Sequence, residues 1–451
     1  MKEKNGILSG AIYLGLSAFV AKLLGAIYRV PLTNMLGSYG IGLYQMVFPV
    51  YSLLLDFSGA GLPSAISRLI SKSQDRYKTA HKFLVASLKI FFIFGLIGSL
   101  FMFMLGSKIA TLQGDSKARL PYLFLSPAIF LVSIISCFRG YFQGLMNMRP
   151  TAVSQVIEQI IKLLFGVLLV KLYLPDIEKA VSGATFAITV SELVAVLYLF
   201  ILYLRHKSKL KLHFIYDNSA FFNDGKTIVK NTIPITLVGI MIPLSQVLDS
   251  FLTINILGKY MQNATSVFGV LSGVVMTIIN LPVSICYGLA TVAIPAISGV
   301  ESQREKDKRK NKILLLTLSF ALPCSVALAL FSPLAINILF RNLAEFEKGT
   351  AINLLRLCSP CVVLLSLVQA SNAILIGKGK LYTPVITLLL GVVVKTSLNL
   401  LLLSDANLNI YGGAIAIIAC YFFVCLINLI IINSKRKTNE NTAAYPCRQA
   451  S

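Results

Sequence analysis

Charge is what this sequence lacks. Only 13% of its 451 residues are Asp, Glu, Lys or Arg, 56% are hydrophobic, and the mean hydropathy is +0.78. No soluble domain of this length needs so much apolar side chain, so a globular enzyme in water is excluded and a polytopic membrane protein is expected. Acids are scarcer than bases, 18 against 41, for a formal net charge of +23. In a soluble chain that excess would suggest nucleic acid. Here most Lys and Arg fall in short segments between apolar runs, which is the positive-inside pattern, and no nucleic-acid partner is expected. Tryptophan is absent, leaving 18 Tyr to supply an aromatic belt. The histidines, His81, His206 and His213, all fall in expected cytoplasmic loops. No Ser-His-Asp set, HExxH, phosphate-binding loop or GxGxxG is visible, so the chain reads as a non-enzyme with no ATP use.

Eight cysteines are present, and all but Cys447 sit in apolar runs, where they read as small core residues rather than disulfides. Cys358 and Cys361 form a CxxC, but Ser359 and Pro360 lie between them inside an expected span and no histidine is near, so helix packing is favoured over a metal site. The N-terminal apolar run continues past Lys22 to Leu32 without a small-x-small cleavage signature and reads as a first span, not a signal peptide.

Apolar runs of about 20 residues or more fall near 7–33, 40–70, 83–106, 121–145, 152–173, 180–204, 227–256, 266–298, 313–338, 351–376, 382–403 and 411–433. Twelve spans are expected. The connections alternate in charge. One set holds Lys2 and Lys4, the 72–82 link, Arg149, RHKSKLKLH, QREKDKRKNK, Lys378 with Lys380, and KRK at 435–437; the other is short and carries Asp115, Asp176, Glu178, Glu345 and Glu347. The basic set should be cytoplasmic, which places both termini there in a multi-pass protein of the cytoplasmic membrane.

The chain also repeats itself. Gly144 and Lys162 return as Gly377 and Lys395, each 233 residues on, with Pro150 and Pro384 near the start of the second helix in each copy. AlaIleSer at 65–67 returns at 296–298. Two units of six spans have the same membrane orientation, a parallel repeat that holds substrate between its halves. The expected organisation is an all-α N-terminal lobe over 1–204, a basic cytoplasmic linker over 205–226, a C-terminal lobe over 227–433 and a disordered tail over 434–451.

Several charges lie inside the spans, where each costs about 2.5–3.5 kcal/mol at a helix centre unless it pairs or meets water. The candidates for substrate binding are Lys22, Arg29, Arg139, Glu158, Lys162 and Lys395; those for ion coupling are Asp56 and Asp249. Lys162 lies about 15 Å beyond the turn at Asn147 to Pro150 and Lys395 is similarly deep, out of snorkelling reach. Thr151, Gln155, Glu158, Gln159 and Lys162 share one helix face. Glu158 and Lys162 also have the order of an i, i+4 ion pair, which is the plainer reading. Arg139, Arg29 and Asp249 lie nearer span ends, where interfacial anchoring competes with function. Lys22 and Arg29 share a face with Gly15, Ala18 and Gly25, which suits either a packing seam or substrate contact.

The segments LLGAIYRVPLTNMLGSYGIGLYQ (23–45), AGLPSAISRLISK (60–72) and RGYFQGLMNMRPTAVSQVIEQIIK (139–162) closely resemble the polysaccharide transporter family. The resemblance is to the branch that holds stage V sporulation protein B and the Gram-positive lipid II flippases, within the multidrug/oligosaccharidyl-lipid/polysaccharide flippase superfamily. It implies two six-helix lobes forming a V around a central cationic cavity. It also implies export of an undecaprenyl-pyrophosphate-linked saccharide, such as a peptidoglycan precursor, by alternating access, with Lys22 and Arg29 in the region whose basic residues contact pyrophosphate. Lipid II flippases usually carry 14 spans, against twelve expected here, and a basic residue found on the eighth span of some relatives has no counterpart between Thr265 and Val300. The implied partners are the lipid-linked substrate, membrane lipids and cell-wall synthesis proteins. No cofactor is expected; coupling to Na+, H+ or the membrane potential stays open, as does a cation-coupled exporter of small amphipathic molecules.

Overall fold

The first helix, α1 (Lys2–Leu55), is two helices joined at a corner. Gly37 there takes φ 68°, ψ −176°, a conformation open to glycine and strained for any residue with a Cβ. The stretch Leu23–Ile70 runs for 48 residues, about 72 Å at 1.5 Å per residue, more than twice the hydrocarbon thickness. The corner gives the segments before and after Gly37 different directions. The computed structural model describes residues 2–71, 73, 75–209, 221–298, 302–380 and 382–434; the side chains of residues 2–19 and of Lys22 lie outside that description.

A π-helical turn (Asp56–Ala60) leads to α2 (Leu62–Ser71), followed by α3 (Arg76–Leu112), α4 (Arg119–Gly144), α5 (Arg149–Tyr173) and α6 (Ile177–Lys209). The second half holds α7 (Phe221–Leu257), α8 (Ala264–Gly269), a π-helical stretch (Val270–Val275), α9 (Met276–Ser298) and α10 (Gln303–Leu330). The short α11 (Ser332–Leu339), then α12 (Glu345–Cys358), α13 (Cys361–Gly377), α14 (Thr383–Leu402) and α15 (Ile410–Asn433) complete it. Among the described residues ten helices are long and apolar enough to cross a membrane, and α12 with α13, bent by 47° at the CxxC, make an eleventh. Twelve runs are expected from the sequence; by length and composition the described residues supply ten or eleven candidate spans. Residues 210–220, the middle of the expected linker, the tail 435–451 and Leu381 lie outside the described residues.

The repeat is visible in the packing. In the first half α1 packs on α5, α2 on α4, α3 on α4, α4 on α6, and α5 on α6; in the second, α7 packs on α14, α9 on α13, α10 on α13, α13 on α15, and α14 on α15. Each of these contacts in one lobe has its counterpart in the other. The outward faces are apolar: Phe92, Ile93, Ile97, Phe101 and Met104 of α3 are all exposed, as lipid-facing side chains are. One buried core, with Leu62, Ile66, Leu84, Phe138 and Tyr141, is formed chiefly by the first half. The larger core joins Leu43, Met46 and Val47 of α1 to Val270, Val274 and Ile278 of the second half.

At that junction the two halves cross reciprocally. A Cβ on Gly42 would stand 2.2 Å from the carbonyl oxygen of Thr265, and one on Gly269 would stand 2.1 Å from that of Ser38. Ser38 and Gly42 correspond to Thr265 and Gly269, 227 residues on. The glycines let backbone meet backbone, as small residues do at membrane helix crossings.

The seven described cysteines are free, six of them buried and Cys324 half-buried.

Candidate functional site: a divided polar cavity

Two chambers open between the lobes. One, of about 480 Å³, is lined mainly by α1 and α5, with Tyr28, Arg29, Tyr44, Gln159 and Lys162, and by Thr277, Asn280 and Ser284 of α9. The other, of about 250 Å³, is lined mainly by the C-terminal half, with Gln246 and Asp249 of α7, Gln369 and Asn372 of α13, Lys395 of α14 and Tyr421 of α15. Arg29, Phe48 and Asn280 line both and mark where the chambers meet.

The cations differ in how they are held. Lys395 is buried and donates to Asp249, with a further bond of 3.2 Å to the Ser245 hydroxyl. Asn399 Nδ2 donates to the other Asp249 oxygen at 3.1 Å, so the carboxylate is bonded on both oxygens. This pair is electrically neutral. Arg29 donates to the Thr277 hydroxyl at 3.3 Å and lies 5.8 Å over the Phe48 ring. Lys162 stands 5.9 Å over the Tyr28 ring. Both contacts are cation–π arrangements. Neither Arg29 nor Lys162 has an ion-pair partner among the described residues, and no acid lines the larger chamber. The chamber walls therefore carry a cationic surplus on the side of the first half.

The other candidates go elsewhere. Arg139 binds Glu158 and also donates to the Ser154 hydroxyl through Nε at 3.1 Å and through Nη2 at 3.0 Å. Glu158 thus pairs across the α4–α5 hairpin rather than along its own helix with Lys162. Arg139 and Glu158 line neither chamber, so they build the lobe whose wall presents Lys162. Asp56 sits in the π-helical turn with its carboxyl 3.3 Å from where a Cβ of Gly239 on α7 would stand, off both chambers. Asp249 is occupied by Lys395 and Asn399. Lys22 lies on α1, its side chain outside the described residues.

Sequence reasoning missed Asn280, Gln369 and Asn372. They are uncharged, and a lone amide in an apolar run raises little signal; their common trait is that each is a carboxamide within a membrane span.

On the side of the short acidic connections the lobes are tied together. Thr265 donates to Asp115 at 2.9 Å, and Ser38 donates to Glu347. These bonds are copies of one another under the repeat, a hydroxyl of each half on an acid of the other. Tyr39 adds a 3.0 Å bond to Asp115. Asn34 donates to the Leu339 carbonyl at 2.6 Å, and Asn255 to that of Leu112 at 2.8 Å.

A membrane transporter architecture of two like lobes around a polar cavity is thereby defined. Residues 7–301 match the family described as polysaccharide biosynthesis protein, and the chain belongs to that family. It is 29% identical to stage V sporulation protein B of Bacillus subtilis (strain 168), covering 95% of this chain and 84% of that protein. It is 27% identical to the lipid II flippase MurJ of the same organism, over 92% and 81%. Among solved structures, an inward-facing multidrug resistance MATE family transporter of the MOP superfamily aligns with TM-score 0.74 at 16% identity, over 93% of this chain and 96% of that one. The lipid II flippase MurJ in an inward closed conformation aligns with TM-score 0.72 at 17% identity, over 94% and 88%. The chain shares their fold.

Proposed function

We propose that the protein is a flippase that moves an undecaprenyl-pyrophosphate-linked saccharide, such as the peptidoglycan precursor lipid II, across the cytoplasmic membrane by alternating access. One observation carries the reading: Arg29 and Lys162 face the larger chamber with no acid among the described residues of its walls. A diphosphate cannot cross hydrocarbon bare, and two desolvated cations between lobes supply the counter-charge it needs. An exporter of cationic drugs would want the opposite sign there. The relatives named as a lipid II flippase and a sporulation protein support this direction. The basic connections face the cytoplasm in this reading, with the tied acidic side outward. A membrane potential contributes about 2.3 kcal/mol per charge per 100 mV to any step that moves net charge.

The test is a leaflet assay in proteoliposomes carrying a labelled undecaprenyl-diphosphate-linked saccharide, scored by an impermeant reagent. Wild type equilibrates the lipid between leaflets, and Arg29→Ala with Lys162→Ala abolishes this while the protein still inserts. Undiminished movement in that double variant overturns the site. Movement of cationic amphiphiles alone overturns the function.

A further inference from the structure

The smaller chamber differs from the larger in chemistry, not only in size. Among the described residues its only acid, Asp249, is matched by Lys395, so that pair presents no net charge to a ligand. Among the polar side chains that remain on the wall of the second half, amides predominate, set among apolar residues with Ser272 and Tyr421. Gln246, Asn280, Gln369 and Asn372 come from three helices, α7, α9 and α13, and converge on one space.

Two of these amides are placed in a way that points to a ligand. The Gln369 Oε1 atom is buried and accepts no hydrogen bond from the protein. A buried acceptor left unpaired costs about 1–3 kcal/mol, and such atoms are rare without a reason. Asn372 accepts through Oδ1 from Asn428 at 2.8 Å, which turns its NH2 group away from Asn428 as a donor. Asn428 is itself held by a second bond from its Nδ2 to the Ser371 hydroxyl at 3.0 Å. The α13 wall thus offers one unused acceptor and one oriented donor, three residues apart on one helix face.

Amides both donate and accept without carrying charge, which suits hydroxyl and acetamido groups. Tyr421 and Phe48 bring aromatic surface to the same chamber, apolar bodies against which a sugar ring can lie. Arg29 stands where the chambers meet. A group bonded to a diphosphate held by Arg29 and Lys162 would enter the amide chamber directly.

We infer that the two chambers take different parts of one substrate. Arg29 and Lys162 hold the diphosphate, and Gln246, Gln369 and Asn372 with Asn280 form a subsite for an uncharged, acetamido-bearing sugar attached to it. This rests on the function proposed above and adds to it the part of the substrate that is selected. Selection follows from the amides. A sugar that satisfies Gln369 Oε1 and the Asn372 donor gains bonds that a bare lipid diphosphate leaves unmade.

The experiment compares binding of undecaprenyl diphosphate with binding of the same lipid bearing one N-acetylhexosamine, using the purified full chain in detergent. Wild type binds the sugar-bearing lipid about tenfold or more tightly, the effect of one or two well-made neutral hydrogen bonds. In Gln369→Leu/Asn372→Leu that ratio falls to about twofold or less, with Gln246→Leu as a milder second variant that falls between. Arg29→Ala/Lys162→Ala weakens both lipids and keeps the ratio. Three results overturn the subsite: no preference in wild type, an unaltered ratio in the α13 and Gln246 variants, or an α13 or Gln246 variant that weakens both lipids alike. Failure of wild type to bind either lipid overturns the flippase reading itself, and the subsite with it.

Discussion

Lys395 on α14 and Asp249 on α7 neutralise each other inside the C-terminal lobe, and this lysine is thereby removed from the cationic surplus of the cavity. Its repeat counterpart, Lys162, has no ion-pair partner among the described residues and lines the larger chamber. Equivalent positions in the two lobes have thus diverged, one lysine paired with an acid and the other facing a chamber over an aromatic ring.

Breaking that pair from one side strands a buried charge. Lys395→Met or Asp249→Asn alone should destabilise the detergent-purified protein by about 3–5 kcal/mol, seen as a fall in the midpoint of thermal unfolding. The double variant Asp249→Asn/Lys395→Met should recover most of the loss. Additive losses in the double variant would show that the two do not act as a pair.

Arg139 and Glu158 should behave likewise in the other lobe. Glu158→Gln leaves Arg139 with only the Ser154 hydroxyl, and Arg139→Met leaves Glu158 without its cation. Each single variant should express poorly or unfold early, with partial rescue in Arg139→Met/Glu158→Gln. Because neither residue lines the chambers, the rescued protein should still bind lipid diphosphate.

The tie at Ser38–Glu347 and Thr265–Asp115 predicts a measurable seal. Hydrogen bonds to charged groups contribute about 1.5–3 kcal/mol each. Thr265→Val or Ser38→Ala should raise the rate at which an impermeant thiol reagent, added from outside the cell, labels Gln45→Cys in a chain whose native cysteines are replaced. The expected increase is about tenfold or more per bond removed. No change in labelling would mean the bonds do not close the cavity.

The Gly42 and Gly269 crossing tolerates no side chain without separation of the helices. Gly42→Val and Gly269→Val should each abolish lipid movement in the leaflet assay while leaving a protein that inserts. Exposure of Gln45→Cys to the outside should rise in both. Normal transport in either variant would show that the two backbones can part without consequence.

Much of the fold was open to reading from residues. The twelve apolar runs, the break near Gly37 and the return of Gly144 and Lys162 as Gly377 and Lys395 are local or periodic features, and hydropathy with simple self-comparison finds them. Partnership was not. Glu158 has Lys162 at i+4 on its own helix, and only the hairpin geometry, which sets Arg139 and Glu158 at similar distances from the turn at Met148, decides for the arginine. Asp249 and Lys395 are 146 residues apart, and no local signal joins them. The amides of the smaller chamber were hidden for a different reason: Asn280, Gln369 and Asn372 bear no charge, so nothing in an apolar run sets them apart until three helices bring them to one space.

The reciprocal tie has a consequence for how such a molecule can move. Ser38 with Glu347 and Thr265 with Asp115 are related by the same symmetry that places Gly42 against Gly269, so a rolling of one lobe on the other stretches both bonds together. The seal should consequently behave as a single cooperative switch with two populations and no half-open state, and its threshold, rather than the diffusion of cargo through it, would then set the pace of each turnover.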